Sequence, residues 1–144
     1  MAYEEQASGN EEQDALAQLQ YLQGVYTQRY EMLNEQITAY SITKDALRQG
    51  MDVVEKAETI GNSGMLVNAG GGTYIEARAG RIDKLITYVG AGYMAEKPLA
   101  EAKEFLQNAI KNGEASITKL LNERQKAEKE LFDISYRLAA FGQA

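Results

Sequence analysis

The residues whose types and spacing could do chemistry lie in two glycine runs. Gly90-Ala91-Gly92-Tyr93-Met94-Ala95 follows an apolar stretch and matches the G-x-G-x-x-A pattern of a dinucleotide-binding turn. In that chemistry a helix must open within the glycines, so that its N-terminal N–H groups meet the pyrophosphate. Pro98 puts the next helix start about five residues too late for this, and no second strand ending in an acid follows at the usual distance. Gly70-Gly71-Gly72-Thr73 has no following lysine and so is not a phosphate-binding loop. The sequence contains no histidine and no cysteine. That removes the commonest general base, the commonest metal ligand and the thiol nucleophile together. Carboxylates such as Glu101, Glu104, Glu128 and Glu130 read as a solvated charged face. The sequence therefore predicts no catalytic residue, no metal ligand and no cofactor, and the chain is read as a non-enzyme.

What positions these runs is a pattern of much longer range. A spacing of alternating three and four residues lands on Leu16, Leu19, Gln23, Tyr26, Tyr30, Leu33, Ile37, Tyr40, Lys44, Leu47, Met51 and Val54. A second register lands on Ile110, Gly113, Ile117, Leu120, Arg124, Ala127, Leu131, Ile134, Leu138 and Phe141. This 3.5-residue period marks a coiled-coil seam. The chain reads as a tail over residues 1–13, helix one over 14–60, two β-hairpins over 61–97 and helix two over 98–141. Gly24 and Gly50 weaken helix one locally, and Asn112-Gly113 is a weak point that helix two runs through. Between the helices, Met65–Ala69, Thr73–Ala77, Lys84–Val89 and Tyr93–Glu96 read as strands broken by Gly70-Gly71-Gly72 and Gly90-Ala91-Gly92. Pro98 sits where a helix would begin. Two helices joined through one β region must run back alongside each other. The predicted class is α+β, mainly α: a long antiparallel two-helix coiled coil joined by two β-hairpins.

Such a chain builds a thin seam and no thick core. Its β region is too small to bury much surface alone, which predicts a subunit of an oligomer. Leu66, Val67, Tyr74, Ile75, Leu85, Ile86, Tyr88, Val89 and Tyr93 are the expected interface. The formal net charge of −6, from 21 acidic and 15 basic residues, disfavours nucleic acid and gives no polybasic anchor for lipid. No apolar run is long enough to cross a membrane, no secretory signal is legible at the N-terminus, and the lack of cysteine is consistent with a cytoplasmic location.

The seam stays apolar at the ends of the helices away from the β region. Leu16, Leu19, Leu22 and Val25 lie early in helix one, and Leu131, Phe132, Ile134, Leu138 and Phe141 late in helix two. Antiparallel pairing brings the two sets together. Leu22, Val25 and Phe132 lie off the registers and widen the stripe beyond what two helices need. Surplus apolar surface of this kind reads as an interaction site.

The central stretches Met65-Leu66-Val67-Asn68-Ala69-Gly70-Gly71-Gly72-Thr73-Tyr74-Ile75 and Ile86-Thr87-Tyr88-Val89-Gly90-Ala91-Gly92-Tyr93-Met94-Ala95-Glu96-Lys97, with Ala102 and Phe105-Leu106 after them, resemble the α-type subunit of prefoldin. Four strands fit the α type better than the β type. The resemblance implies an ATP-independent holdase in which two α-type and four β-type subunits join through their strands into an oligomeric β-barrel platform. It implies that the coiled-coil tips hold unfolded client proteins and pass them to a group II chaperonin. Two other readings compatible with the pattern are a coiled-coil adaptor of a transport assembly and a structural spacer that self-assembles through its β region.

Overall fold

Good helix formers run almost from the start of the chain, and the first helix begins earlier than the tail expectation allows. In the computed structural model, which describes residues 2–142 and side chains from Gly9 to Gly142, α1 spans Ala2–Glu55. Residues 2–13 are thus helical, while Met1 lies outside the described residues. The reason is local: Ala2, Glu4, Glu5, Gln6 and Ala7 are residue types that favour helix. At its other end α1 stops at Lys56, and a single turn, α2 (Ala57–Ile60), follows. The Lys56 N–H still donates to the Asp52 carbonyl, at 3.0 Å, so the break interrupts little of the ladder. Asn62, at φ 66°, ends the helical path. Its N–H donates to the Ala79 carbonyl at 2.9 Å.

Four strands follow: β1 (Gly64–Gly70), β2 (Thr73–Arg78), β3 (Lys84–Gly90) and β4 (Tyr93–Pro98). They form two separate antiparallel pairs, β1 with β2 and β3 with β4. The hairpins share one construction. Each ends in a two-residue turn with both positions at positive φ: Gly71 and Gly72 in the first, Ala91 and Gly92 in the second. This is the geometry of a type I′ turn, whose twist matches that of the flanking strands. Each carries a register shift just before the turn, at Asn68/Gly70 and at Tyr88/Gly90. The Gly70 N–H donates to Asn68 Oδ1 at 2.8 Å in the first hairpin. The Gly92 N–H donates to Tyr88 Oη at 3.2 Å in the second.

Pro98 closes β4 rather than opening the last helix, and α3 runs Leu99–Gly142 without interruption. The Leu99 N–H, left orphan at the helix start, donates to the Asp83 carbonyl at 3.2 Å. Gly113 lies inside α3 and half-buried, as its place on the register requires.

The chain divides into two units, and α1 and α3 contribute to both. In Ser41–Ala115, Val54, Ala102 and Leu106 form a small core with Leu47, Met51, Leu85 and Phe105 against it. Arg48 there bonds Glu114 across the helices at 3.0 Å. Lys97 Nζ stands 5.1 Å from the centre of the Phe105 ring. In the unit of Met1–Tyr40 with Ser116–Ala144, Leu33, Ala127 and Ile134 are buried. Arg124 donates to Asn34 Oδ1 at 2.8 Å. In Ser41–Ala115 the end of α1 faces the start of α3, with Arg48 opposite Glu114 and Val54 packed on Ala102, and in the other unit the start of α1 faces the end of α3, so the helices are antiparallel within each. Seam positions are buried or half-buried with two exceptions, Tyr40 and Phe141. No large side chain is fully buried among the described residues.

Candidate functional site: two exposed apolar surfaces

The first surface belongs to the hairpins. In β3–β4, alternation sorts the side chains onto two faces. Leu85, Thr87, Ala95 and Lys97 are half-buried on one face, and Leu85 rests against the core of Val54, Ala102 and Leu106. Leu85 was expected at the oligomer interface. It is instead turned into its own subunit, because a one-sided hairpin needs an apolar anchor on the helices. Ile86, Tyr88 and Met94 occupy the opposite face and are exposed to 67%, 59% and 59%. A Lys84–Glu96 ion pair at 3.1 Å lies beside them. Val89, at the register shift, and Tyr93, after the turn, are also exposed.

The β1–β2 hairpin is open on both faces. Opposite pairing places Leu66 and Tyr74 on one side and Val67 and Ile75 on the other, and all four are exposed. An isolated two-stranded hairpin is marginal in water. A hairpin with apolar side chains on both faces and two unpaired edges is a template for further pairing.

The second surface lies on the α1–α3 pair of the other unit. Ala15, Gln18, Leu19 and Leu22 of α1 and Tyr136, Arg137, Ala140 and Phe141 of α3 line an open groove of about 520 Å³. Of the nine residues expected to form an interaction site here, the structure brings Leu19, Leu22 and Phe141 into the groove. Phe132 is 76% exposed beside it, one helical turn before Tyr136, and Val25 is also exposed. Leu16, Leu131 and Leu138 are half-buried in the seam. Ile134 is buried and is a packing residue, not a contact surface, because the seam register points it at α1. Tyr136, 73% exposed, lines the groove and was missed. The signal for Tyr136 was present: it stands four residues after Phe132, on the same helical face.

The glycine run Gly90-Ala91-Gly92 is a hairpin turn between two strands, and no helix opens within it. Among the described residues no group of His, Cys, Asp and Glu could hold a metal ion. No helix among them is long and apolar enough to cross a membrane.

The prefoldin family model, described as prefoldin subunit, matches residues 13–144. The chain is 29% identical over 135 residues to prefoldin subunit alpha of Archaeoglobus fulgidus, covering 93% of this chain and 96% of the relative. It is 26% identical over 136 residues to prefoldin subunit alpha of Methanocorpusculum labreanum, covering 91% and 92%. A chain of the filamentous PFD of Methanocaldococcus jannaschii, solved by cryo-EM, shares the fold. Its TM-score is 0.56 at 24% identity, over 87% of this chain and 99% of that one. A helix pair carrying two glycine-turned hairpins, matched over nearly its whole length, leaves one assignment: the chain belongs to the prefoldin family of chaperone subunits and resembles its archaeal α type.

Proposed function

We propose that the chain is an ATP-independent holdase subunit that works in the cytoplasm. Its hairpins assemble with β-type subunits, two α-type with four β-type, into a β-barrel platform. Its helix ends hold unfolded proteins and release them to a group II chaperonin. The observation that carries this reading is the presence of two exposed apolar surfaces of different kind. The hairpin faces are flat and edged by unpaired backbone groups, which suits permanent assembly. The groove is open, has no free backbone edge and holds only a few apolar side chains, which suits weak contact with an exposed apolar segment. Several weak grooves in one particle reach useful affinity through avidity, with no strong site in any of them.

The test is a truncation that removes residues 131–144, which carry Tyr136, Ala140 and Phe141 and leave the hairpins untouched. The shortened chain is expected to assemble normally and to lose most of its power to suppress aggregation of a denatured test protein. Undiminished suppression by a normally assembled truncation overturns the placement of clients at the groove. It leaves the spacer reading to account for the helices.

A further inference from the structure

The acidic excess of this chain is not spread over it. The first 28 residues hold Glu4, Glu5, Glu11, Glu12 and Asp14 and no lysine or arginine, while the other sixteen acidic residues are almost balanced by all fifteen basic ones. This segment is the one that leads into the groove. Asp14 adjoins Ala15 in the groove wall. Glu11 stands seven residues before Gln18 and Glu12 seven before Leu19, both groove-lining. Two helical turns separate the members of each pair, so the carboxylates continue the groove-lining face of α1 toward its N-terminus. Glu11, Glu12 and Asp14 are exposed. Among the described residues none of them is in an ion pair. The one cation of the groove wall, Arg137, is paired with Asp133 at 3.2 Å.

We propose that the groove selects unfolded segments in which apolar residues are flanked by lysine or arginine. The apolar part seats against Leu19, Leu22, Tyr136 and Phe141, and the cations meet the carboxylates on the extension of the same face. The inference rests on client capture at the groove and adds the chemistry of the client. The charge contribution is long-ranged and screened, so it speeds encounter and biases choice more than it adds grip.

The test uses the full-length assembled protein and fluorescence anisotropy with two short labelled peptides. Both share one Leu- and Phe-containing centre; one is flanked by Lys, the other by Glu. At low ionic strength the Lys-flanked peptide is expected to bind about fivefold tighter, and the ratio to shrink as salt rises. Glu11→Gln, Glu12→Gln and Asp14→Asn together should bring the ratio to one while the particle keeps its mass and helicity. Tyr136→Ser with Phe141→Ser, both exposed positions, should weaken both peptides alike. Equal binding of the two peptides by the unaltered protein, with both lost in the Tyr136/Phe141 variant, sinks the charge selection and leaves client capture standing. Binding of neither peptide sinks client capture itself, and this inference with it. A charge ratio that survives the triple neutralisation assigns the selection to other residues and overturns the proposal. So does a Tyr136/Phe141 variant that changes particle mass instead of peptide affinity, since a second helix pair would then fill the groove.

Discussion

Replacing Ile86 and Tyr88 by lysine bears mainly on assembly, because both side chains stand exposed on the hairpin face turned away from the core of their own subunit. Fully burying a side chain of this size contributes about 1.5–3 kcal/mol. Ile86 is 67% exposed and Tyr88 59%, so covering what each leaves open contributes roughly 1–2 kcal/mol apiece. The double substitution therefore removes roughly 2–4 kcal/mol per contact, which raises a dissociation constant by roughly 30- to 700-fold. Within the hairpin the double substitution loses the exposed bond from the Gly92 N–H to Tyr88 Oη, which contributes about 0.5–1.5 kcal/mol. Ile86 lies opposite Glu96, and a lysine there faces a carboxylate. Light scattering over a concentration series is expected to show a particle that falls apart where the unaltered protein holds together, with far-ultraviolet circular dichroism unchanged. Leu85→Lys is the contrasting control. Leu85 packs on the core, so its replacement should lower thermal stability first. A double variant of full particle mass throughout the series refutes the assignment of this face to assembly.

Three further outcomes are expected. Ala91 sits at φ 52° in a turn where the equivalent position is Gly71. Ala91→Gly relieves about 1–2 kcal/mol of side-chain strain and concedes about 0.4–1 kcal/mol of unfolded-state entropy, so the thermal midpoint should rise slightly, whereas Gly71→Ala should lower it. Gly24→Ala and Gly50→Ala should each stabilise α1 by about 1 kcal/mol in chemical denaturation. A Cβ at Gly24 meets nothing within 4 Å, and one at Gly50 meets Leu106 at an ordinary 3.6 Å. Calorimetric titration with ATP or NAD should give no saturable heat, because the glycine pattern at Gly90 is a strand-to-strand turn; one site per chain would contradict this.

The heptad pattern made most of the fold legible. Polar residues at seam positions, such as Gln23, Lys44 and Arg124, did not mislead, because the register ran through them and each is half-buried as predicted. The strands were legible from β-branched and aromatic residues between glycines, and their bounds shifted by a residue or two. Three things were harder to see. The helical start at Ala2 was hidden because an acidic, polar composition reads as a tail when no apolar period accompanies it. The inward turn of Leu85 needs knowledge of which hairpin face meets the helices, and alternation alone cannot say which of two apolar faces does so. Tyr136 was not singled out because a solvated tyrosine off the register had no place in the apolar stripe, although it stands one turn after Phe132 and lines the groove.

In the proposed function the two surfaces use similar side chains for opposite ends, and their geometry supports that division. On the hairpins, Leu66 with Tyr74, Val67 with Ile75, and Ile86 with Met94 stand on flat faces flanked by unpaired strand edges. A partner strand there gains apolar burial and backbone hydrogen bonds together, and the resulting contact is slow to part. On α1 and α3 every backbone group away from the ends is already paired within its helix. A segment lying in the groove gains only side-chain contact, and it must also order itself to gain that much. Such a contact stays weak by construction. Weakness is what the proposed role as a holdase without a nucleotide cycle requires, since nothing but dissociation would free a client.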